Sequence, residues 1–227
     1  MTLPRVGVLA SGNGSNLQAL IDNRDLFGYQ IDVVVSSRAN AYCLVRAKAA
    51  RIPAIQLPYS ATGASRERGS AKGVRDAANR LHSPSRRDYE HTLLDALEGF
   101  ELDLIVLAGW MLILSGEFLA RVKCPVINVH PSLLEPDDPG FPVLRGARCV
   151  RDALSLQLPY TGVSVHHVIP EVDAGSVIVS EIVQIIDGDT EDSLYDRVKK
   201  VEHRLLPQAV GLVLGTRTFP HLELLGV

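Results

Sequence analysis

The sequence predicts an α/β fold: a mostly parallel sheet with helices on both faces, and a long antiparallel strand pair appended in the C-terminal half. Three observations predict it. Short runs rich in Val, Ile and Leu alternate with segments of helical period. The first run ends in a glycine-rich turn, Ser11-Gly12-Asn13-Gly14-Ser15-Asn16, that leads into a helical pattern. Residues 162–169 and 177–186 alternate over longer spans, as paired antiparallel strands do.

The elements follow in order. Strands are expected at 5–10, 31–36, 54–57, 104–108 and 126–129, and helices at 15–22, 40–50, 86–98 and 115–122. Ser15 stands at the N-cap position of the first helix. The two long strands are joined by residues 170–175, where Gly175 would supply a positive φ. A last helix covers 190–211, capped by Asp189 or Thr190. The first half is therefore Rossmann-like, and the second half closes a cleft over its strand ends. Residues 61–84 have no durable apolar period. Residues 61–90 carry seven basic and four acidic side chains. They read as a surface excursion, or as a basic flap over an anionic substrate.

Composition narrows the class. The 227 residues suit one domain spanning 1–227, with a phosphate-binding half to about 125 and a second half from 126. A net charge of −3 argues against nucleic acid as the main partner. Cys43, Cys124 and Cys149 form no Cys-x-x-Cys pair, which suits a reducing compartment without structural zinc. No run of about 18 apolar residues predicts a membrane span, and no signal-peptide pattern is seen, so a cytoplasmic location is expected. His166 and His167 are strand neighbours that face opposite ways, and the other histidines lack ligand spacing, so no metal is expected. No Gly-x-Ser-x-Gly elbow and no thiol beside a histidine is read, so covalent catalysis is not expected.

Three constellations remain. The glycine turn presents backbone N–H groups at a helix N-terminus, which suits a phosphate; the alternative is a plain strand-to-helix turn. A dinucleotide loop wants a third glycine where this chain has Leu17. Asn128 and His130 are two apart on a strand that Pro131 ends, so both face one way at its carboxyl end, where open α/β sheets bind ligands. An amide beside an imidazole suits oxyanion stabilisation and proton transfer; the alternative is a polar strand end. Asp173 precedes Gly175 in the long turn and would serve either as an Asx-turn or as a carboxylate partner to His130.

The motifs together resemble the phosphoribosylglycinamide formyltransferase family. They are Ser11-Gly-Asn-Gly-Ser-Asn-Leu-Gln18, Leu107-Ala-Gly-Trp-Met111, Ile127-Asn-Val-His-Pro-Ser-Leu-Leu134, Val172-Asp-Ala-Gly175 and Arg197-Val-Lys-Lys-Val-Glu-His203. The resemblance covers nearly the whole chain. It implies formyl transfer from 10-formyltetrahydrofolate to the amine of glycinamide ribonucleotide, by direct attack through a tetrahedral intermediate, with no metal. It implies Asn128, His130 and Asp173 as the catalytic trio. Gly14, Ser15, Asn16 and Glu202 would bind the ribonucleotide. Arg86 and the segments Met111, Leu112, Ile113, Leu114 and Pro170, Glu171, Val172 would bind the folate. A monomer or a homodimer is expected.

The chain departs from the family pattern after Leu134. Glu135-Pro-Asp-Asp-Pro-Gly-Phe-Pro142 is acidic and proline-rich, and the histidines usual there are absent. Leu112 stands where the family often has Arg, and Ser37 where it often has Asn. Two alternatives stay open: formyl transfer to another amine or hydrolysis of the formyl folate, and a non-catalytic NADP-binding module reading a 2′-phosphate at Ser36-Ser37-Arg38. The hydrolase is disfavoured because no regulatory domain is expected before the first strand.

Overall fold

The computed structural model describes residues 2–59 and 85–216. The expected excursion at 61–84 lies outside the described residues. Seven strands form one sheet: β1 (Arg5–Ala10), β2 (Gln30–Ser36), β3 (Ala54–Gln56), β4 (Leu104–Leu107), β5 (Val126–His130), β6 (Tyr160–His167) and β7 (Val177–Gln184). Their order is β3-β2-β1-β4-β5-β6-β7. The pairs from β3 across to β5 are parallel, and β6 and β7 add on antiparallel.

Among the described residues six helices cover the sheet: α1 (Ser15–Phe27), α2 (Tyr42–Ala49), α3 (Arg86–Glu98), α4 (Gly116–Arg121), α5 (Cys149–Ser155) and α6 (Glu191–Val213). Alternation along the inner strands feeds two cores. Val6, Val8 and Ala10 of β1 join Leu17 and Leu20 of α1 and the stripe of α6. Leu9 of the same strand joins Tyr89, Leu93 and Leu97 of α3 and Phe118 of α4. This is the two-faced burial that makes parallel strands read as continuous apolar runs.

The chain leaves β1 and β4 in opposite lateral directions. The crevice between their carboxyl ends is where this architecture binds ligands. Two loops meet there: the glycine turn after β1 and residues 108–114 after β4. Ser11 N donates to Gly109 O at 3.1 Å and ties one to the other.

Several local expectations are corrected. The N-cap of α1 is Gly14, not Ser15; Gly14 takes φ 77 and Ser15 is the first helical residue. A Cβ at Gly14 would meet Cys43 Cβ at 2.6 Å, so glycine is needed on two counts. Gly175 has no left-handed φ; it is glycine because a Cβ there would stand 1.9 Å from His167 O. The left-handed residue in that turn is Asp173 itself, at φ 51. Helix α5 adds to the expected helices; its seven residues carry no full amphipathic period that would mark it in the sequence. The final helix agrees with expectation, with Thr190 as N-cap in a reciprocal capping box with Ser193.

Gly175→Ala therefore forces the β6–β7 turn apart. Chemical unfolding is expected to show a loss of about 1–3 kcal/mol, the usual cost of overpacking a tight contact. Stability equal to the wild type would mean that the turn does not need its close approach to His167.

Candidate active site

Strand β5 delivers the first two functional groups. Asn128 and His130 both line a cavity of about 600 Å3 at the carboxyl end of the sheet. Strand β6 delivers a third that sequence reasoning set aside. In the antiparallel register His166 lies directly opposite Asn128, so the two side chains share a face. Asn128 Nδ2 is 3.1 Å from His166 Nε2, and His166 Nδ1 is 2.9 Å from His167 O. That network assigns a neutral ring: Nδ1–H donates to the carbonyl, and the Nε2 lone pair accepts from the amide. Burial lowers the His166 pKa and favours the same form. The available signal was strand parity: of the pair His166 and His167, one had to face the Asn128 side.

The β6–β7 turn delivers Asp173. Its Oδ2 lies 3.6 Å from His130 Nδ1, and its Oδ1 lies 3.6 Å from His166 Nε2. With His166 neutral, His130 is the ring that can carry the countercharge. The 3.6 Å gap is ion-pair distance and longer than a hydrogen bond. Asp173 thus faces Nδ1 across that gap. The other ring nitrogen is committed elsewhere: His130 Nε2 is 2.9 Å from Leu144 O.

One thiol does lie beside a histidine, against expectation. Cys149 Sγ is 3.2 Å from His130 Nε2. It is buried, and burial together with the nearby Asp173 and Asp152 carboxylates pushes its pKa up to about 12. It stays a thiol, so the expectation of no covalent catalysis keeps its chemical ground.

Asn16 and Glu202 also line the cavity. Glu202 occupies the buried stripe of α6 between Val198 and Leu205. Asn16 Nδ2 donates to it at 3.1 Å, and no cation pairs with it among the described residues. Burial lifts its pKa to about 7, against the pull of Asn16 and Lys199. Asn16 Oδ1 is buried with no partner among the described residues. A protonatable carboxyl beside that amide makes a polar patch in the lining suited to hydroxyl or amine groups of a ligand.

The remaining expected residues fall into two groups. Met111, Leu112, Ile113, Leu114, Pro170, Glu171 and Val172 all line the cavity. Met111, Ile113 and Val172 are large apolar side chains left exposed, a rim suited to a flat ring. Gly14 and Ser15 do not line the cavity itself; they lie on the turn beside it. That turn is braced by Arg46, which donates to Asn13 O and Asn13 Oδ1, both at 3.0 Å. Arg86 is not on the cavity wall. Its Nε reaches Glu90 at 3.3 Å, and its guanidinium lies 5.6 Å from the Tyr59 ring centroid. Glu90 in turn accepts from Ser115 N at 3.0 Å and from the Ser115 hydroxyl. Arg86 is thus linked through Glu90 to Ser115, the N-cap of α4.

Ser36 and Ser37 do not await a phosphate. Ser36 Oγ donates to Arg38 O at 3.0 Å, and Ser37 Oγ meets Ser11 Oγ at 2.7 Å. Leu17 is fully buried in the helix–sheet contact where a dinucleotide fold needs glycine. No group of His, Cys, Asp and Glu among the described residues could hold a metal. No helix among them is long and apolar enough to cross a membrane.

The profile of the formyl transferase family matches residues 4–210. The chain belongs to the formyl transferase family. It is 36% identical over 211 residues to the human trifunctional purine biosynthetic protein adenosine-3, covering 92% of this chain and 18% of that protein. It thus spans under a fifth of the length of that relative. It is 35% identical over 216 residues to the phosphoribosylglycinamide formyltransferase of Escherichia coli (strain K12), covering 94% of this chain and 89% of the relative. Among solved structures, glycinamide ribonucleotide transformylase 1 from Symbiobacterium toebii superposes with TM-score 0.76 at 33% identity, over 95% of this chain and 89% of that one. The cavity lining combines exposed apolar side chains with the buried polar pair Asn16 and Glu202.

The raised pKa of Glu202 carries a stability consequence. Between about 4.5 and about 7 the folded chain holds a proton that the unfolded chain has released, so this group makes stability fall as pH rises through that window. Glu202→Gln is expected to remove that fall. In unfolding experiments on the ligand-free protein, the variant should exceed the wild type by about 1–3 kcal/mol at pH 8 and match it near pH 4.5. An equal pH dependence for both proteins would refute the buried, unpaired carboxyl.

Proposed function

We propose that this chain is a phosphoribosylglycinamide formyltransferase. It moves the formyl group of 10-formyltetrahydrofolate to the amine of glycinamide ribonucleotide. The observation that carries this reading is the His130–Asp173 pair in one cavity with Asn128, Asn16 and Glu202. The formyl folate supplies an activated one-carbon group. Everything else falls to the protein.

Asn16 and Glu202 hold the ribonucleotide, with the glycine turn at its phosphate. A neutral Glu202 donates to a ribose oxygen, and an ionised one accepts from it; Asn16 Oδ1 accepts from a hydroxyl in either state. Met111, Ile113 and Val172 cover the folate ring, and the backbone of 111–114 and 170–172 reads its edge. Held this way, the amine and the formyl carbon meet at the wall formed by Asn128 and His130.

As the amine attacks, negative charge grows on the formyl oxygen. The His130 Nδ1 proton, biased by Asp173, and the Asn128 amide face that charge. His166 holds Asn128 in its donating orientation. Asp173 keeps the proton on His130, and a water beside the carboxylate relays the amine proton to the departing folate nitrogen. The low-dielectric wall strengthens each of these donors.

The decisive assay follows tetrahydrofolate release from the formyl folate with and without glycinamide ribonucleotide. Release that depends on that acceptor is expected. Acceptor-independent release would make the chain a hydrolase, and no release with this acceptor would exclude the proposed reaction. His130→Ala and Asn128→Ala are each expected to lower kcat about a hundredfold or more while leaving the fold intact, the usual cost of losing an oxyanion donor. Near-wild-type turnover for His130→Ala would remove it from the mechanism.

A further inference from the structure

The segment after Leu134 departs from the family pattern, yet it is firmly placed. Phe141 stacks on Tyr160 with centroids 4.3 Å apart and planes 2° apart. Asp138 Oδ1 accepts from Gly140 N at 2.8 Å. Beyond these anchors, residues 144–149 reach both members of the His130–Asp173 pair. Gly146, at φ 82, donates its N–H to Asp173 Oδ2 at 2.9 Å. Leu144 O accepts from His130 Nε2 at 2.9 Å. Cys149 Sγ lies 3.0 Å from Gly146 O, 3.4 Å from Leu144 O and 3.2 Å from His130 Nε2.

These contacts form a closed circuit. Because Nε2–H is given to Leu144 O, that nitrogen offers no lone pair to the thiol. The S–H then goes to Gly146 O, its nearest acceptor, and the sulfur lone pairs face Nε2–H. Gly146 thus has its N–H on the carboxylate and its carbonyl on the thiol, and the thiol rests on the imidazole. The cysteine is buried and firmly protonated, so the contact is neither nucleophilic nor redox chemistry.

We infer that Cys149 is a positioning residue for His130: its sulfur packs against Nε2, closes the 144–146 turn through Gly146 O, and so leaves Nδ1 as the ring nitrogen that faces Asp173 and the substrate. The inference rests on the role given to His130 under the proposed function. It goes beyond that role by assigning the ring's orientation to the thiol that opens α5. Without the sulfur, Nε2–H keeps only Leu144 O, the turn loses its internal bond, and the imidazole can rotate.

The test uses Cys149→Ala and Cys149→Ser. A serine hydroxyl can donate to Gly146 O and accept from Nε2–H, so it should restore what alanine removes. Two readouts are taken on each protein. One is kcat and KM for both substrates. The other is the exchange of the His130 Nε2 proton with solvent, followed by 15N–1H NMR without substrates. Alanine is expected to lower kcat about tenfold, with both KM values within about twofold, and to speed Nε2 proton exchange. Serine is expected to return both readouts toward wild type. Alanine with unchanged kcat, or with an unchanged Nε2 resonance, would overturn the assignment. So would a serine variant as impaired as alanine. Failure of the formyl-transfer reading is distinct: the wild type would then lack turnover, while the NMR comparison would still report on the ring.

Discussion

Asp173 sits at a left-handed φ of 51, in a turn that fits only because Gly175 has no side chain to strike His167 O. That placement is the constraint on which the site depends. It puts one carboxylate 3.6 Å from each of two imidazoles that come from different strands. Non-glycine residues in this conformation cost of order 1–3 kcal/mol, and such strain persists where the surroundings over-determine it. Here the surroundings are visible: the Gly146 N–H on Oδ2, the β6–β7 ladder on both sides, and His130 below. The sheet stores strain in its turn and spends it on the position of a charge.

The two imidazoles differ because their outer nitrogens differ. His166 gives its Nδ1 proton to a backbone carbonyl and takes a hydrogen bond from Asn128 on the other side, which fixes it as neutral. His130 gives its Nε2 proton to Leu144 O, which leaves Nδ1 to face the carboxylate. Two chemically equal side chains on neighbouring strands thus stand in different settings: one ring meets the Asn128 amide, and the other turns Nδ1 toward Asp173. Glu202 is set by its surroundings in the same way. Helix geometry buries it in an apolar stripe, and burial raises its pKa to about 7.

Much of this was legible in the sequence. Apolar alternation gave the strands, and the Asn128-Val-His130-Pro131 spacing gave two groups on one face at a strand end. The residues alone left Asp173 open between an Asx-turn and a partner to His130; the family resemblance favoured the second and brought in Glu202, which spacing leaves as a helix residue. What stayed hidden depends on three-dimensional register. His166 belongs to the site because β6 pairs with β5 so that it lies opposite Asn128. Cys149 belongs because a short helix without an amphipathic signature begins there. Arg86 was placed at the folate by resemblance, yet its guanidinium turns to Glu90 and Tyr59. Gly175 was read as a conformational glycine when it is a steric one, a distinction that only the approach of His167 O reveals.

The central claim is that Asp173 acts through His130. A double-mutant cycle on kcat tests it directly, with His130→Asn, Asp173→Asn and the combined variant compared under saturating substrates. If the two groups work as one unit, the double variant turns over about as fast as the slower single variant. If the rate losses of the two single variants multiply in the double, each residue acts independently, and the pairing account is wrong.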